Sequence, residues 1–185
     1  QSVILAGAAL LARVRHAPPI LVPLFTGMAA MALALALPWR FSELPVALGW
    51  AAIALVVALL ASRLSSTLLA WNAWGLTAAG LLECIGLDEP RPALAALALV
   101  NAISERVLGR GSRMLRIASR AHIGASALAL AWLFSQSLGT ELTTLGWFFA
   151  AFGLFITGFG LKERWYRFAG IALLLVSLVR LLLVD

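Results

Sequence analysis

Long apolar runs alternate with short polar gaps along this chain. A helix needs roughly 20 mostly apolar residues to cross the hydrocarbon core of a bilayer, and about 17 to 25 is the working range. The runs that approach this length are residues 1–12, 17–37, 45–62, 67–87, 92–108, 121–137, 143–161 and 168–184. We expect the first of them to be truncated at its start. The pattern therefore predicts an all-α fold, a polytopic transmembrane helical bundle of about eight helices.

The composition supports a membrane protein and argues against a soluble one. Hydrophobic residues make up 63% of the chain and charged residues 12%, and the mean hydropathy is +1.00. A soluble domain needs far more polar surface than this. The fourteen Lys and Arg residues lie between the apolar runs and form no aromatic and basic patch of the kind that binds phosphates. We therefore expect no nucleic-acid partner.

The positive charges predict an orientation. Residues 92–108 are polar near their end, so they fit either a crossing or a helix in the interface. If they cross, Arg40 and Arg91 lie on one side of the membrane, and eleven basic residues lie on the other. These eleven are Arg13, Arg15, Arg63, Arg106, Arg110, Arg113, Arg116, Arg120, Lys162, Arg164 and Arg167. Cytoplasmic loops carry the excess of Lys and Arg, so we expect eight crossings with this side in the cytoplasm.

The chain also repeats itself. Leu48-Gly49-Trp50 recurs as Leu145-Gly146-Trp147, an offset of 97 positions, and the same offset carries Asp88 onto Asp185. The expected domains are residues 1–88, a four-helix transmembrane repeat whose first helix is truncated, and residues 89–185, a second such repeat. Because four is an even number, both copies insert in the same direction, which predicts parallel repeats.

The last unit resembles a known family. Its Leu145-Gly146-Trp147 opening is followed by spaced basic, small and apolar residues and a closing acid. These are Arg164, Arg167, Gly170, Leu173, Arg180 and Asp185. In this it is similar to the C-terminal part of a family of very long bacterial membrane proteins catalogued as domain of unknown function 2339. The resemblance implies a many-helix protein of the bacterial inner membrane with further N-terminal helices as partners, and it carries no known reaction.

Two charged residues form a candidate intramembrane pair. Glu83 and Arg180 occupy equivalent positions under the 97-residue offset, near the outer ends of the fourth and eighth predicted helices. Charges inside apolar spans are costly unless they are paired, hydrated or near the interface, so they are candidates for function. Both residues are also close enough to a helix end to reach the headgroups, which leaves a structural pair as the alternative to a role in transport.

Small residues recur at helical spacing in the seventh predicted helix. They are Gly146, Ala150, Gly153, Thr157 and Gly160. Small residues let helix backbones approach closely in lipid, so this stripe is predicted to be a helix-packing face. A wall that lines a pore is the alternative.

The most basic stretch is predicted to lie on the lipid surface. Its arginines alternate with apolar residues, as in a short amphipathic helix against anionic lipid. They are Arg106, Arg110, Arg113, Arg116 and Arg120. A protein docking site is the alternative.

Reactive chemistry has little support in the sequence. Cys84 is the one cysteine, and His16 and His122 have no neighbouring ligands in sequence, whereas zinc sites use three or four ligands at recognisable spacing. No catalytic or nucleotide-binding motif appears, so we expect no metal, no cofactor and no enzyme. The preferred hypothesis is a structural or assembly module of a larger bacterial inner-membrane protein, in contact with membrane lipids and in a homo-oligomer or envelope complex.

Two other functions stay open. One is part of a transporter or channel for a small solute, which would need a polar cavity between the repeats. The weaker one is a membrane-embedded enzyme that acts on lipid-linked envelope precursors, which would need a charged cluster on the outer side.

Overall fold

The chain folds into long helices joined by short turns. The structure, a computed structural model, describes residues 21–41 and 44–183. The helices in this part of the chain are α1 (Leu21–Arg40), α2 (Leu44–Arg63), α3 (Thr67–Glu83), α4 (Arg91–Gly109), α5 (Arg113–Ser137), α6 (Thr140–Gly160) and α7 (Arg164–Leu183). The all-α class is confirmed. The helix predicted at residues 1–12 lies outside the described residues.

Each of these seven helices is long and apolar enough to cross a membrane, α3 together with the 3-10 turn Cys84–Gly86 that follows it. The segment predicted at residues 92–108 is among them, as α4. Large apolar side chains are exposed along the outside of the bundle, for example Leu35, Phe149 and Leu175. An apolar exterior of this extent is suited to lipid, so the helices have the length and the surface of a multi-pass membrane protein.

The helix predicted at residues 121–137 begins earlier than the apolar pattern indicates. α5 starts at Arg113, where the Ser112 side chain accepts a hydrogen bond from the backbone N–H of Leu115 at 3.5 Å. This cap satisfies a donor that the first turn would otherwise leave free. The basic stretch is consequently the end of α4, a tight turn and the start of α5, and the prediction of a separate amphipathic helix is wrong.

Neighbouring helices form antiparallel hairpins, of which α2–α3, α4–α5 and α6–α7 pack most extensively. α4 also packs on α2, and α5 contacts both α3 and α7. The core between them is rich in alanine, with Ala54, Ala73 and Ala93 fully buried. Small side chains bring the backbones close together, which is a main source of helix association where lipid removes the hydrophobic driving force.

Two tryptophans make the same contact 97 positions apart. The indole N–H of Trp50 donates to the Ala34 carbonyl at 2.9 Å, which ties α2 to α1. The indole N–H of Trp147 donates to the Ala131 carbonyl at 2.8 Å, which ties α6 to α5. Both the donors and the acceptors are thus related by the offset found in the sequence.

The turns that follow these helices match as well. Ser65 and Lys162 both have positive φ, 50° and 56°. The residue after each one donates its backbone N–H five positions back, Ser66 to Ala61 at 2.9 Å and Glu163 to Gly158 at 3.0 Å. The α2–α3 and α6–α7 turns therefore have the same left-handed cap at the same offset.

Candidate functional site

The bundle contains two kinds of cavity. The larger ones are apolar grooves on its outside, such as the 580 Å³ groove between α3 and α5 beside Trp74 and Trp132. A smaller cavity of 110 Å³ has a mostly polar lining and lies where α4, α5 and the start of α7 meet. This is the end of the bundle that carries the turns at residues 110–112 and 161–163, which we call the basic end. The polar cavity is the better candidate for chemistry, since buried ionisable groups in a membrane protein are costly to keep.

A band of buried polar side chains leads from this cavity into the bundle between α4, α5 and α7. We call it the polar seam, and it comprises Asn101, Ser104, Glu105, Ser119, His122, Ser126 and Tyr166, all buried. Glu105 lies one turn before the end of α4 and is 5% exposed. The hydroxyl of Tyr166 on α7 donates to its Oε2 at 2.9 Å. A buried carboxyl group thus holds α7 to α4.

The Glu105 carboxylate has a second partner. Nε of Arg106 lies 3.5 Å from the same oxygen, Oε2, and the Arg106 guanidinium is 5.9 Å from the centre of the Tyr166 ring. Both contacts go to Oε2. The other oxygen, Oε1, lies toward Gly109, 3.5 Å from the position that a Cβ on this glycine would take. Gly109 therefore leaves open space beside the carboxylate.

Deeper in the seam, Asn101 and His122 join α4 to α5. The Asn101 amide donates to the Leu97 carbonyl at 2.7 Å, and its Oδ1 lies 2.7 Å from Nδ1 of His122. Because an amide oxygen can only accept, the imidazole donates from Nδ1. Nε2 of His122 is buried and has no hydrogen-bond partner. The histidine is therefore fixed in orientation with one nitrogen free.

The serine hydroxyls of the seam differ in whether they form hydrogen bonds. The Ser126 hydroxyl donates across the interface to the Ala98 carbonyl at 3.2 Å, and the Ser119 hydroxyl donates within α5 to the Arg116 carbonyl at 2.9 Å. Ser104 Oγ is buried without a partner. Since an unpaired buried polar group costs free energy, the seam is more polar than helix packing alone requires.

The arginines predicted to form a lipid-surface segment have separate roles. Arg106 contacts Glu105, and Arg116 donates to the Gly111 carbonyl at 3.0 Å, which braces the turn. The Arg120 guanidinium lies 4.8 Å from the centre of the Trp165 ring on α7. The remaining two, Arg110 and Arg113, are exposed at the turn. Two of the five, Arg116 and Arg120, line the polar cavity.

The structure does not bring Glu83 and Arg180 together. Within residues 21–41 and 44–183, the ion pair that forms is the one between Arg106 and Glu105. The Arg180 guanidinium instead lies 5.1 Å from the centre of the Trp147 ring. α5 packs against both α3 and α7, which carry the two charges. The charge pair expected from the sequence is not formed among the described residues.

The small-residue stripe of α6 is a packing face only in part. Gly146 and Ala150 are buried, whereas Gly153, Thr157 and Gly160 are exposed. A Cβ added to Gly153 or Gly160 would meet nothing within 4 Å. The expectation of a continuous stripe is therefore wrong for its second half.

The close approach of α6 and α7 occurs at other glycines. A Cβ on Gly170 would lie 2.7 Å from the Ala151 carbonyl oxygen and 2.9 Å from the Phe155 nitrogen. A Cβ on Gly158 would lie 2.8 Å from the Arg167 backbone nitrogen. Neither position can hold a larger residue without moving backbone, so these glycines set the distance between the two helices.

Sequence reasoning missed Glu105, Tyr166 and the burial of His122. A signal was present, because Asn101, Ser104 and Glu105 follow i, i+3, i+4 spacing, which places polar groups on one helix face. On α5, Ser119, His122 and Ser126 share a face in the same way, and all three are buried. Two polar faces of this kind indicate a shared interface. Tyr166 had no such signal, since its neighbours fit an interfacial aromatic residue equally well.

No group of three or more His, Cys, Asp or Glu residues suited to a metal ion occurs in the part of the chain that the structure describes. No protein family model, curated protein or solved structure matches the chain.

Proposed function

We propose that this chain is a structural or assembly module of a larger bacterial inner-membrane protein. The supporting observation is that buried polar groups are used to tie helices together. Hydrogen bonds between helices join α2 to α1, α2 to α4, α4 to α5, α4 to α7 and α6 to α5. With α3 packed on α2, one connected framework results. A rigid framework with an apolar exterior is suited to holding other membrane helices.

The proposal includes two parallel four-helix repeats, residues 1–88 and 89–185. The matched tryptophan contacts and left-handed caps at an offset of 97 support this arrangement. Under the same offset α1, α2 and α3 correspond to α5, α6 and α7. Within each set, all three helices pack on one another, as expected of a duplicated unit.

Orientation and crossing number are tested by cysteine accessibility. On a Cys84→Ser background, single cysteines are placed in five of the gaps between helices and labelled from outside intact cells. The positions are Ser42, Ser65, Ser112, Gly139 and Glu163. Labelling at Ser42 and Gly139 alone is expected if the basic end is cytoplasmic. Labelling at Ser112 or Glu163 in addition to Ser42 would contradict both the orientation and the repeats, whereas labelling at Ser65, Ser112 and Glu163 alone would reverse the orientation only.

Assembly is tested by photocrosslinking in intact membranes. A crosslinking amino acid replaces Phe152, which is 57% exposed on α6, and in a control it replaces Leu154, which is 7% exposed on the same helix. We expect protein adducts of discrete mass from Phe152, either with a second copy or with another envelope protein, and none from Leu154. Adducts with lipid alone at Phe152 and at other exposed apolar positions would argue against an assembly module.

A transporter part is the second candidate, and the polar seam favours it. The seam joins a surface cavity at the basic end to His122, whose Nε2 has no partner. From Gly109 to Ala98 the cavity and the seam together extend over twelve residues of α4, a rise of roughly 16 Å at 1.5 Å per residue, or about half of the hydrocarbon core. Proton flux into liposomes that contain the purified chain, lost in Glu105→Gln and His122→Asn, would favour this function over a scaffold.

A further inference from the structure

The polar cavity at the basic end has charges of both signs on its walls. It lies among α4, α5 and the α6–α7 turn, and its volume is 110 Å³. The acidic groups are Glu105 and Glu163, and the basic groups are Arg116 and Arg120. The cavity is thus positioned at the ends of apolar helices, where lipid headgroups lie.

These charges do not neutralise one another directly. In the described part of the chain, no guanidinium nitrogen other than that of Arg106 lies within 4.0 Å of a carboxylate. The contacts of Glu105 from Tyr166 and Arg106 both use Oε2, so Oε1 is free to accept from a ligand. Two acceptor groups and two cationic groups around one small space suit a ligand that carries both charges itself.

We propose that this cavity binds the phosphoethanolamine headgroup of an aminophospholipid. The primary ammonium group, with three N–H donors, enters between Glu105 Oε1 and Glu163, while the phosphate lies at the rim and accepts from Arg116 and Arg120. A choline headgroup lacks N–H donors, and a phosphatidylglycerol headgroup lacks the cation. Either would leave Oε1 of Glu105 without a hydrogen-bond donor, which is costly for a buried carboxylate.

Gly109 makes the space for the ammonium group. A Cβ there would lie 3.5 Å from Glu105 Oε1 and 3.8 Å from Ser119 Oγ. These are ordinary contact distances, and the φ of Gly109 is not positive. Gly109→Ala is therefore expected to fold normally while it fills the cavity beside the carboxylate. Gly153→Ala, where an added Cβ meets nothing within 4 Å, is the matched control.

The test is lipid titration of the purified 185-residue chain, followed by native mass spectrometry. The three lipids share the same acyl chains and carry ethanolamine, choline or glycerol headgroups. We expect the ethanolamine lipid to bind about tenfold more tightly than the other two, the loss expected for one charged hydrogen bond. Gly109→Ala should remove this preference, and Gly153→Ala should retain it. Equal binding of all three lipids by the unmodified chain would overturn the proposal.

A second variant covers the case in which Gly109→Ala fails to fold. Glu163 is exposed in a turn, so Glu163→Gln leaves the packing unchanged and removes one partner of the ammonium group. An unchanged preference for ethanolamine in this variant and in Glu105→Gln would overturn the proposal. Competition by soluble phosphoethanolamine would support the site and show that the headgroup alone suffices, whereas preference without competition would support it as a site for the intact lipid.

Discussion

Ser65 and Lys162 lie 97 positions apart in the chain and share a left-handed backbone conformation, with φ of 50° and 56°. They are the two non-glycine residues with positive φ in the described ranges, 21–41 and 44–183. Each reverses the chain between two antiparallel helices at the basic end. A side chain costs free energy in this conformation, so its occurrence at both equivalent positions indicates that the turn geometry itself is constrained by packing.

Replacing either residue with glycine should stabilise the protein. Glycine adopts positive φ without steric cost, so Ser65→Gly and Lys162→Gly should each raise the free energy of unfolding by about 0.5–1 kcal/mol. Denaturant titration in detergent micelles measures the change. Lys162→Ala removes the side-chain charge but keeps a Cβ, and it should give no gain. A gain at only one of the two sites would show that the two turns differ in strain.

Gly170→Ala should weaken the packing of α6 on α7. The added methyl group would approach the Ala151 carbonyl oxygen and the Phe155 nitrogen, which are backbone atoms that cannot rotate away. The helices must separate, at a cost of about 1–3 kcal/mol. Gly153→Ala, in the exposed half of the stripe, should leave the free energy of unfolding unchanged or slightly higher. Equal destabilisation by the two variants would contradict the observed packing face.

The hydrogen bond between Tyr166 and Glu105 should appear as an energetic coupling. A double-mutant cycle with Tyr166→Phe and Glu105→Ala is expected to give a coupling of about 1–3 kcal/mol, because each single change removes one partner of a buried hydrogen bond. Thermal unfolding in micelles supplies the four values. Tyr166→Phe combined with Glu83→Gln is the control cycle and should be additive. Additivity in the first cycle would mean that the contact contributes nothing to stability.

Glu83 and Arg180 should act independently. Arg180→Gln removes the stacking of the guanidinium on Trp147, which contributes about 0.5–1 kcal/mol, whereas Glu83 forms no ion pair in the described chain. In Glu83→Gln combined with Arg180→Gln, the two effects on the free energy of unfolding should add to within about 0.5 kcal/mol. If the double variant lost clearly less free energy of unfolding than the sum of the two single changes, the result would support the charge pair that the sequence suggested.

Much of the fold could be predicted from the sequence because lipid constrains it strongly. Every backbone polar group must be satisfied within the membrane, so each sufficiently long apolar run becomes a helix. The described helices match the predicted segments closely, including α4, whose polar end made it ambiguous. The start of α5 was predicted too late, because a search for apolar residues does not detect a first helical turn that is polar and begins with a serine cap.

The candidate site could be predicted only in part. Helical spacing of Asn101, Ser104 and Glu105 marks a polar face, but spacing does not reveal which helix covers it. Glu83 and Arg180 occupy equivalent positions in sequence, yet α5 packs against both helices that carry them. The prediction of a packing stripe on α6 was wrong in its second half for a related reason. Small residues permit close packing, but they do not determine which neighbouring helix packs against them.

The sequence by itself determined the helical class, the membrane-spanning lengths and the 97-residue correspondence, because these follow from apolar run length and from residue identity along the chain. The tertiary structure alone decided which faces meet. It placed Tyr166 on Glu105, His122 on Asn101 and Gly170 against the backbone of α6. These contacts depend on the rotation and neighbour order of whole helices, which many residues set together and no local pattern specifies.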